Sequence, residues 1–160
     1  MRRRAMMSGS GQVNPRASTV VTLDSVTSGY ELAVVLSTDV PERLYSGLSV
    51  LVSSAADGAR CIGLATFRGL DLLIAEDLLR RAGEPEATRE LSWAGREVFA
   101  RSLLELRDTA FAMETLELYA CAASVETMNL TRDDVEHRLG PVMSMPRFLK
   151  ATAGATLLFV

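Results

Sequence analysis

Short apolar runs alternate with helical stretches along most of the chain. Strand-length apolar runs occupy residues 31–37, 59–66, 118–122 and 155–160. After the first run, Leu44, Leu48, Leu51 and Ala55 recur at the spacing of one helical face, with Pro41 at the expected first turn. Asp57 and Gly58 are expected to end that helix.

Further helical patterns separate the later runs. One helix is predicted through Leu70, Ile74 and Leu78, and a long amphipathic helix within residues 88–117. A helical turn is predicted over 124–130, a helix over 133–139 and a last helix over 141–153. Alternating strands and helices imply right-handed crossovers and a mostly parallel sheet. Because the strands are continuously apolar, helices should cover both faces. The predicted fold is α/β, a three-layer α/β/α sandwich of flavodoxin-like type.

The first 28 residues have a different character. They are rich in Arg, Ser and Gly, and their one brief apolar patch is Val20-Val21. We interpret residues 1–28 as a flexible arm with a short edge strand around 18–23, and residues 29–160 as a single domain. The basic start lacks the continuous apolar stretch that a secretory signal requires.

The composition and charge of the chain argue against some classes of function. Aromatic residues make up 6% of the chain, its net charge is −3 and its pI is near 5.2, which argues against nucleic-acid binding. No apolar run is long enough to span a bilayer. The mean hydropathy of +0.17 implies hidden apolar surface, in the core or in a homo-oligomer interface. Two cysteines without a signal segment suggest reduced thiols in the cytoplasm.

Cys121 is the residue best placed for chemistry. It falls near the end of the third predicted strand, just before the helical turn at Ser124. Unpaired backbone N–H groups and the helix dipole at such a position favour a thiolate, the form that attacks sulfane sulfur. A buried cysteine acting as a small apolar residue is the competing interpretation.

Two segments of the chain resemble a known family. Ala65-Thr66-Phe67-Arg68-Gly69-Leu70 is similar to the "TFWGL"-type segment of DsrE/DsrF-like sulfur-relay proteins. Tyr119-Ala120-Cys121-Ala122-Ala123-Ser124, with Met128 beyond it, resembles their "ACxxSMxxM"-type segment. The resemblance covers residues 31–160 and includes the apolar last strand.

The resemblance implies a three-layer α/β fold and a persulfide carrier. The cysteine at the position of Cys121 would accept sulfur from a donor protein and pass it to an acceptor protein, in a homo- or hetero-oligomer. Thr66, Phe67, Arg68, Gly69 and Ser124 are then the expected substrate-binding neighbours, with Arg68 favouring the thiolate or an anionic donor. The chain departs from the family pattern at Arg68, Ala122 and Asn129, where an aromatic residue, a polar residue and Gly are common.

The other residues with reactive or metal-binding side chains give weaker evidence of a functional site. Cys61 is expected in the core, and His137 on a solvated helical face. One His and two distant Cys do not supply the ligands that zinc needs, and no nucleotide-binding glycine motif occurs, so we expect neither metal nor cofactor. The pair Glu114 and Glu117 is interpreted as a solvated helix or loop face.

Three functions compete at this point. The first is a sulfur carrier that works through Cys121, whose turnover depends on its partners. The second is a non-catalytic oligomeric scaffold or small-ligand-binding protein of the same fold. The third, a thiol peroxidase, usually needs a resolving cysteine, and Cys61 is poorly placed for that role.

Overall fold

The structure, a computed structural model, describes residues 29–86 and 92–160. The predicted arm of residues 1–28, with its strand around 18–23, lies outside the described residues. Residues 29–160 were predicted to form a single domain, and all of the strands below belong to one sheet.

The described residues contribute five parallel strands to that sheet, in the order β4-β3-β2-β1-β5. They are β1 (Leu32–Leu36), β2 (Cys61–Ala65), β3 (Leu116–Cys121), β4 (Val142–Met143) and β5 (Thr156–Phe159). Every residue of β1 and β2 is buried, as their continuous apolar sequences predicted.

Helices connect the strands. They are α1 (Pro41–Ala56), α2 (Phe67–Leu73), α3 (Leu78–Ala82), α4 (Trp93–Ala112), α5 (Ala122–Thr127), α6 (Arg132–Arg138) and α7 (Met145–Ala151). Pro41 opens α1, while the side chains of Ser92 and Thr131 cap α4 and α6 by accepting backbone N–H groups of Gly95 and Asp134. Each start therefore follows the ordinary chemistry of helix N-termini.

The two faces of the sheet are covered unequally. One core cluster joins Leu32, Val34 and Leu36 of β1 to residues of α1 through α6. The other joins Ala33, Val35, Ile62 and Leu64 to Phe148 of α7. Because right-handed crossovers from β1 to β4 all advance in one direction, their helices share a face, and only the return to β5 places a helix on the opposite face. The fold is the predicted three-layer α/β/α sandwich.

Several predicted boundaries were wrong. The helix predicted through Leu70 and Leu78 is two helices, because the chain turns at Ala75–Asp77 between α2 and α3. The long helix predicted to 117 ends at Ala112, because pairing with β2 draws residues from Leu116 onward into β3.

The end of the chain also differs from expectation. Pro141 does not begin a helix: its carbonyl accepts the Ala120 N–H at 3.1 Å, which extends the sheet into β4 before α7 begins at Met145. The last strand was predicted to be buried, but every residue of β5 is exposed because β5 lies at an edge of the sheet. Within the described ranges, no helix is both long enough and apolar enough to cross a membrane.

Candidate functional site

The carboxyl ends of β1, β2 and β3 lie side by side at one edge of the sheet. Leu36 is paired with Ala65, and Ala65 with Ala120, so the residues that follow these strands come together. In parallel α/β sheets, ligands and reactive groups gather at this edge. The structure thus brings the segment around Thr66 next to the segment around Cys121, as the sequence predicted.

Cys121 is the last residue of β3 and the residue that precedes α5. Its backbone is extended, with φ −70° and ψ 123°. Its side chain belongs to the core cluster on the α7 face, with Leu64, Met143 and Phe148, and only 4% of Cys121 is exposed. The position in the fold is the predicted one, and the thiol there is buried.

Phe67 forms an unusual turn next to this position. Its φ of +42° lies in the left-handed region, which a large side chain seldom adopts. The Phe67 N–H donates to Ser124 Oγ at 2.9 Å, and Ser124 is fully buried. Ser124, two residues into α5, therefore ties the start of α2 to the start of α5. Strained residues of this kind often cluster at functional sites.

Thr66 and Gly69 have structural roles in this turn. Thr66 is 5% exposed, and its carbonyl accepts the Gly69 N–H at 2.9 Å. A Cβ atom at Gly69 would lie 2.3 Å from the Leu36 carbonyl oxygen. Only glycine therefore lets α2 pack against the end of β1 at this distance.

An open depression of about 480 Å³ lies at the same edge of the sheet. Its lining residues are Ser37, Phe67, Arg68, Asp71 and Met128. Phe67 and Arg68 of the predicted substrate-binding set therefore reach a shared surface. Thr66, Gly69 and Ser124 are buried instead, and Cys121 does not line the depression.

Arg68 is engaged with a carboxylate. Its guanidinium donates to Asp39 Oδ2 at 2.9 Å, and both side chains are well exposed. Asp39 follows β1 and Arg68 follows β2, so this ion pair joins the segments after these two strands. The sequence had assigned Arg68 to favouring the thiolate or an anionic sulfur donor, and in the structure Arg68 forms an ion pair with Asp39.

The two other expectations about chemical residues are confirmed. Cys61 is fully buried at the first position of β2, and its thiol donates to the Ala59 carbonyl at 3.5 Å. Burial, and to a lesser degree the Glu31 carboxylate, raises the pKa of Cys61. His137 is exposed on α6. In residues 29–86 and 92–160, no His, Cys, Asp and Glu side chains gather as metal ligands would.

Sequence reasoning missed a polar cluster at the amino ends of the strands. Glu117 of β3 accepts hydrogen bonds from Tyr119 Oη at 2.8 Å, from Arg60 at 3.2 Å and from Tyr30. The Arg60 guanidinium also lies 4.8 Å from the centre of the Tyr30 ring. Glu117 was interpreted as part of a solvated helix or loop face, which was wrong. The signal available was the alternation of Glu117 and Tyr119 with apolar residues, the period of a strand.

These contacts shift the pKa values of the residues in the cluster. Burial raises the pKa of Tyr30 to about 12, and the hydrogen bond to Glu117 adds to the effect. Burial likewise raises the pKa of Tyr119. Burial alone would raise the pKa of Glu117, but the hydrogen bonds from the two tyrosines and Arg60 outweigh it and lower that pKa. Glu117 therefore stays ionised at neutral pH as the acceptor at the centre of the cluster.

No model of a known protein family matches the chain, and a search of curated proteins finds no match. The likeness to DsrE/DsrF-like proteins consequently rests on the two segments around Phe67 and Cys121 and on the order of the strands and helices.

Proposed function

We propose that the protein is a sulfur carrier that holds sulfane sulfur as a persulfide on Cys121 and passes it to a partner thiol. The observation that carries this proposal is the position of Cys121. It ends β3 at the carboxyl edge of the sheet, next to the strained Phe67 turn that Ser124 anchors. The three-layer fold agrees with the fold that the sequence resemblance implies.

The chemistry requires no cofactor. The Cys121 thiolate attacks the outer sulfur of a donor persulfide, R–S–SH, forming Cys121–S–SH and releasing R–S⁻. An acceptor thiolate, R′–S⁻, then attacks the outer sulfur of Cys121–S–SH, forming R′–S–SH and returning Cys121–S⁻. Each step exchanges one S–S bond for another, so no net oxidant or reductant is consumed.

Burial sets a condition on this chemistry. With 4% of Cys121 exposed, a donor reaches its sulfur only after a neighbouring side chain moves. Phe67 and the Arg68–Asp39 ion pair stand at the surface of the same edge, and both are exposed. Exposed ion pairs are weak, so a partner protein can displace this one at small cost.

Intact mass provides the test. Purified, reduced protein is incubated with polysulfide and weighed beside Cys121→Ser and Cys61→Ser variants. We expect a dithiothreitol-reversible gain of one or more sulfur atoms in the wild type and in Cys61→Ser, and none in Cys121→Ser. An equal gain in all three proteins, or no gain in the wild type, would reject Cys121 as the carrier.

The burial of Cys121 specifically favours a second candidate function. A non-catalytic scaffold of the same fold would use Cys121 as a small apolar residue of the α7-face cluster, alongside Leu64 and Phe148. On this alternative, Cys121→Ala leaves the binding of every partner unchanged, and polysulfide adds no mass to the folded protein.

A further inference from the structure

In the part of the chain that the structure describes, the outer side of β5 is an open sheet edge. Within residues 29–86 and 92–160, β5 is hydrogen-bonded to β1 alone and ends the strand order on that side. Thr156 and Val160 donate their N–H groups to Glu31 and Val35, at 2.9 and 3.0 Å. Because N–H direction alternates along a strand, the N–H groups of Leu157 and Phe159 point away from β1.

This edge is apolar and lacks the usual protection. Leu157, Leu158 and Phe159 are 37%, 38% and 65% exposed. No charged residue or proline occurs from Thr156 to Val160. Edge strands normally carry such residues, or are very short, because an open apolar edge recruits another strand. The opposite edge strand, β4, has only two residues.

The rest of the sheet offers no comparable place among the described residues. On the outer side of β3, the Leu116 N–H donates to the Met113 carbonyl and the Ala120 N–H donates to the Pro141 carbonyl. Between them, Gly140 lies so close that a Cβ atom there would be 2.6 Å from the Leu118 carbonyl oxygen. A further strand therefore fits at β5 and not at β3.

We propose that residues 18–23 of the same chain cover this edge as a sixth strand, antiparallel to β5. Their sequence, Ser-Thr-Val-Val-Thr-Leu, contains the longest β-branched run within residues 1–28, and its six residues are enough to span the four of β5. Like β5, the run contains no charged residue.

The path of the chain permits this pairing. β1 begins at Leu32, which is paired with Thr156, so the chain enters the sheet beside the start of β5. Gly29 lies against the Arg60 side chain, on the β2 side of β1. The distance from Gly29 to a strand outside β5 is two to three strand spacings, about 10–15 Å. The six steps from Leu23 to Gly29 reach about 20 Å.

The short link also fixes the direction. A parallel strand would require a crossover of a dozen or more residues, whereas five residues separate Leu23 from Gly29. In the antiparallel arrangement Leu23 lies beside Thr156 and Val21 opposite Leu158. Leu158 turns its own N–H toward β1, so Val21 and Leu158 form a non-hydrogen-bonded pair, in which the Cα atoms are about 4.5 Å apart. A disulfide can bridge that separation.

The test is a disulfide in the full-length chain. Val21→Cys is combined with Leu158→Cys, and the control combines Val21→Cys with Val98→Cys, an exposed site on α4. Two further variants place the first cysteine one residue to either side, as Val20→Cys or Thr22→Cys, each combined with Leu158→Cys. With them the result does not depend on a single strand register. After mild oxidation, peptide mapping identifies the cysteines that have joined, and gel filtration separates monomer from dimer.

We expect a disulfide within one chain between Leu158→Cys and one of the three partners, formed about tenfold faster than in the control. A disulfide that joins two chains, including Leu158→Cys to itself, would instead assign the edge to a second copy and overturn the proposal. So would a rate no greater than the control.

Hydrogen exchange provides a second, independent measurement. Val20 faces Phe159 in this arrangement, so Val20→Pro removes an N–H that bonds to β5. We expect the Leu157 and Phe159 amides to exchange about tenfold faster in Val20→Pro than in the wild type or in an Arg4→Pro control. Equal exchange in all three proteins would contradict the sixth strand.

Discussion

At the scale of single residues, Glu117 is the centre of a polar cluster on the α7 face of the sheet. Two phenols and a guanidinium converge on its carboxylate, and they come from positions 30, 60 and 119. The Arg147 guanidinium of α7 also lies near Tyr119 and acts on its charge. This cluster thus connects the amino ends of three strands to the helix on that face.

The lowered pKa of Glu117 predicts how stability depends on pH. A carboxylate whose pKa is lower in the folded state adds stability above its ordinary pKa of 4.5, and this stability is lost as pH falls through the folded value. We therefore expect Glu117→Gln to lower the urea midpoint at pH 7. The difference from the wild type should shrink progressively below pH 4.5, where Glu117 takes up a proton.

Glu105→Gln, an exposed change on α4, is the matched control, because it removes one negative charge without touching the cluster. Its urea midpoint should follow that of the wild type at every pH. If Glu117→Gln and Glu105→Gln behave alike from pH 3 to pH 7, the hydrogen bonds to Glu117 do not stabilise the folded state.

At the candidate site, some properties of single residues could be predicted from the sequence and others could not. The position of Cys121 at a strand end followed from the apolar run before it and the helical pattern after it. Its burial did not, because a continuously apolar strand does not reveal which of its side chains a distant helix will cover. The pairing of Arg68 with Asp39 was equally hidden, since it depends on how two separate loops approach each other.

At the scale of elements, the end of α5 accounts for Asn129, one position at which the sequence departs from the DsrE/DsrF-like segments that it resembles. Asn129 has a φ of +54°, the left-handed conformation in which glycine is common after a helix. Its N–H donates to the Glu126 carbonyl at 3.1 Å, and the Leu130 N–H donates to the Val125 carbonyl at 3.0 Å. These two bonds form a complete Schellman motif. Asn is among the few residues other than glycine that adopt this conformation readily.

The conformation of Asn129 predicts a difference between two substitutions. Asn129→Gly keeps the left-handed residue without a Cβ, whereas Asn129→Ala places a Cβ there with no polar group to compensate. We expect Asn129→Ala to be less stable than Asn129→Gly by about 1 kcal/mol in urea unfolding. Glu126→Ala, an exposed change inside α5, serves as the control and should be nearly neutral. Equal stability of the two Asn129 variants would mean that this helix end does not constrain the chain.

The strands and helices differed in how accurately their sequences predicted them. β1, α1 and β2 were predicted closely, because their patterns are long and lie between clear turn residues. β4 was missed since two residues carry no period, and Pro141 resembled a helix start. β5 was predicted as a strand but placed in the interior, because an apolar run indicates burial and contains no information about strand order.

At the scale of the whole molecule, the two layers of helices contribute unequally to the core. Helices α1 through α6 contribute to the core on one face, whereas α7, with seven residues, is the helix of the other cluster. Cys61 belongs to the first cluster and Cys121 to the second. The two thiols therefore report separately on the two faces of the sheet.

This asymmetry predicts that the α7 face can open by itself when its one large anchor is removed. Phe148 is fully buried, and Phe148→Ala is expected to cost about 3–5 kcal/mol of unfolding free energy. Since no other helix residue of that cluster is fully buried in the described ranges, α7 should detach before the rest of the domain unfolds. Alkylation of Cys121 by iodoacetamide should then accelerate about tenfold or more relative to that of Cys61.

Leu48→Ala provides the comparison from the opposite face, because Leu48 is fully buried in the cluster that contains Cys61. It should destabilise the protein by about 2–5 kcal/mol. The alkylation rate of Cys121 relative to that of Cys61 should not rise. If Phe148→Ala instead exposes both cysteines equally, the sheet and its two layers unfold as one unit. Separate detachment of α7 would then not explain how a sulfur donor reaches the buried Cys121 thiol.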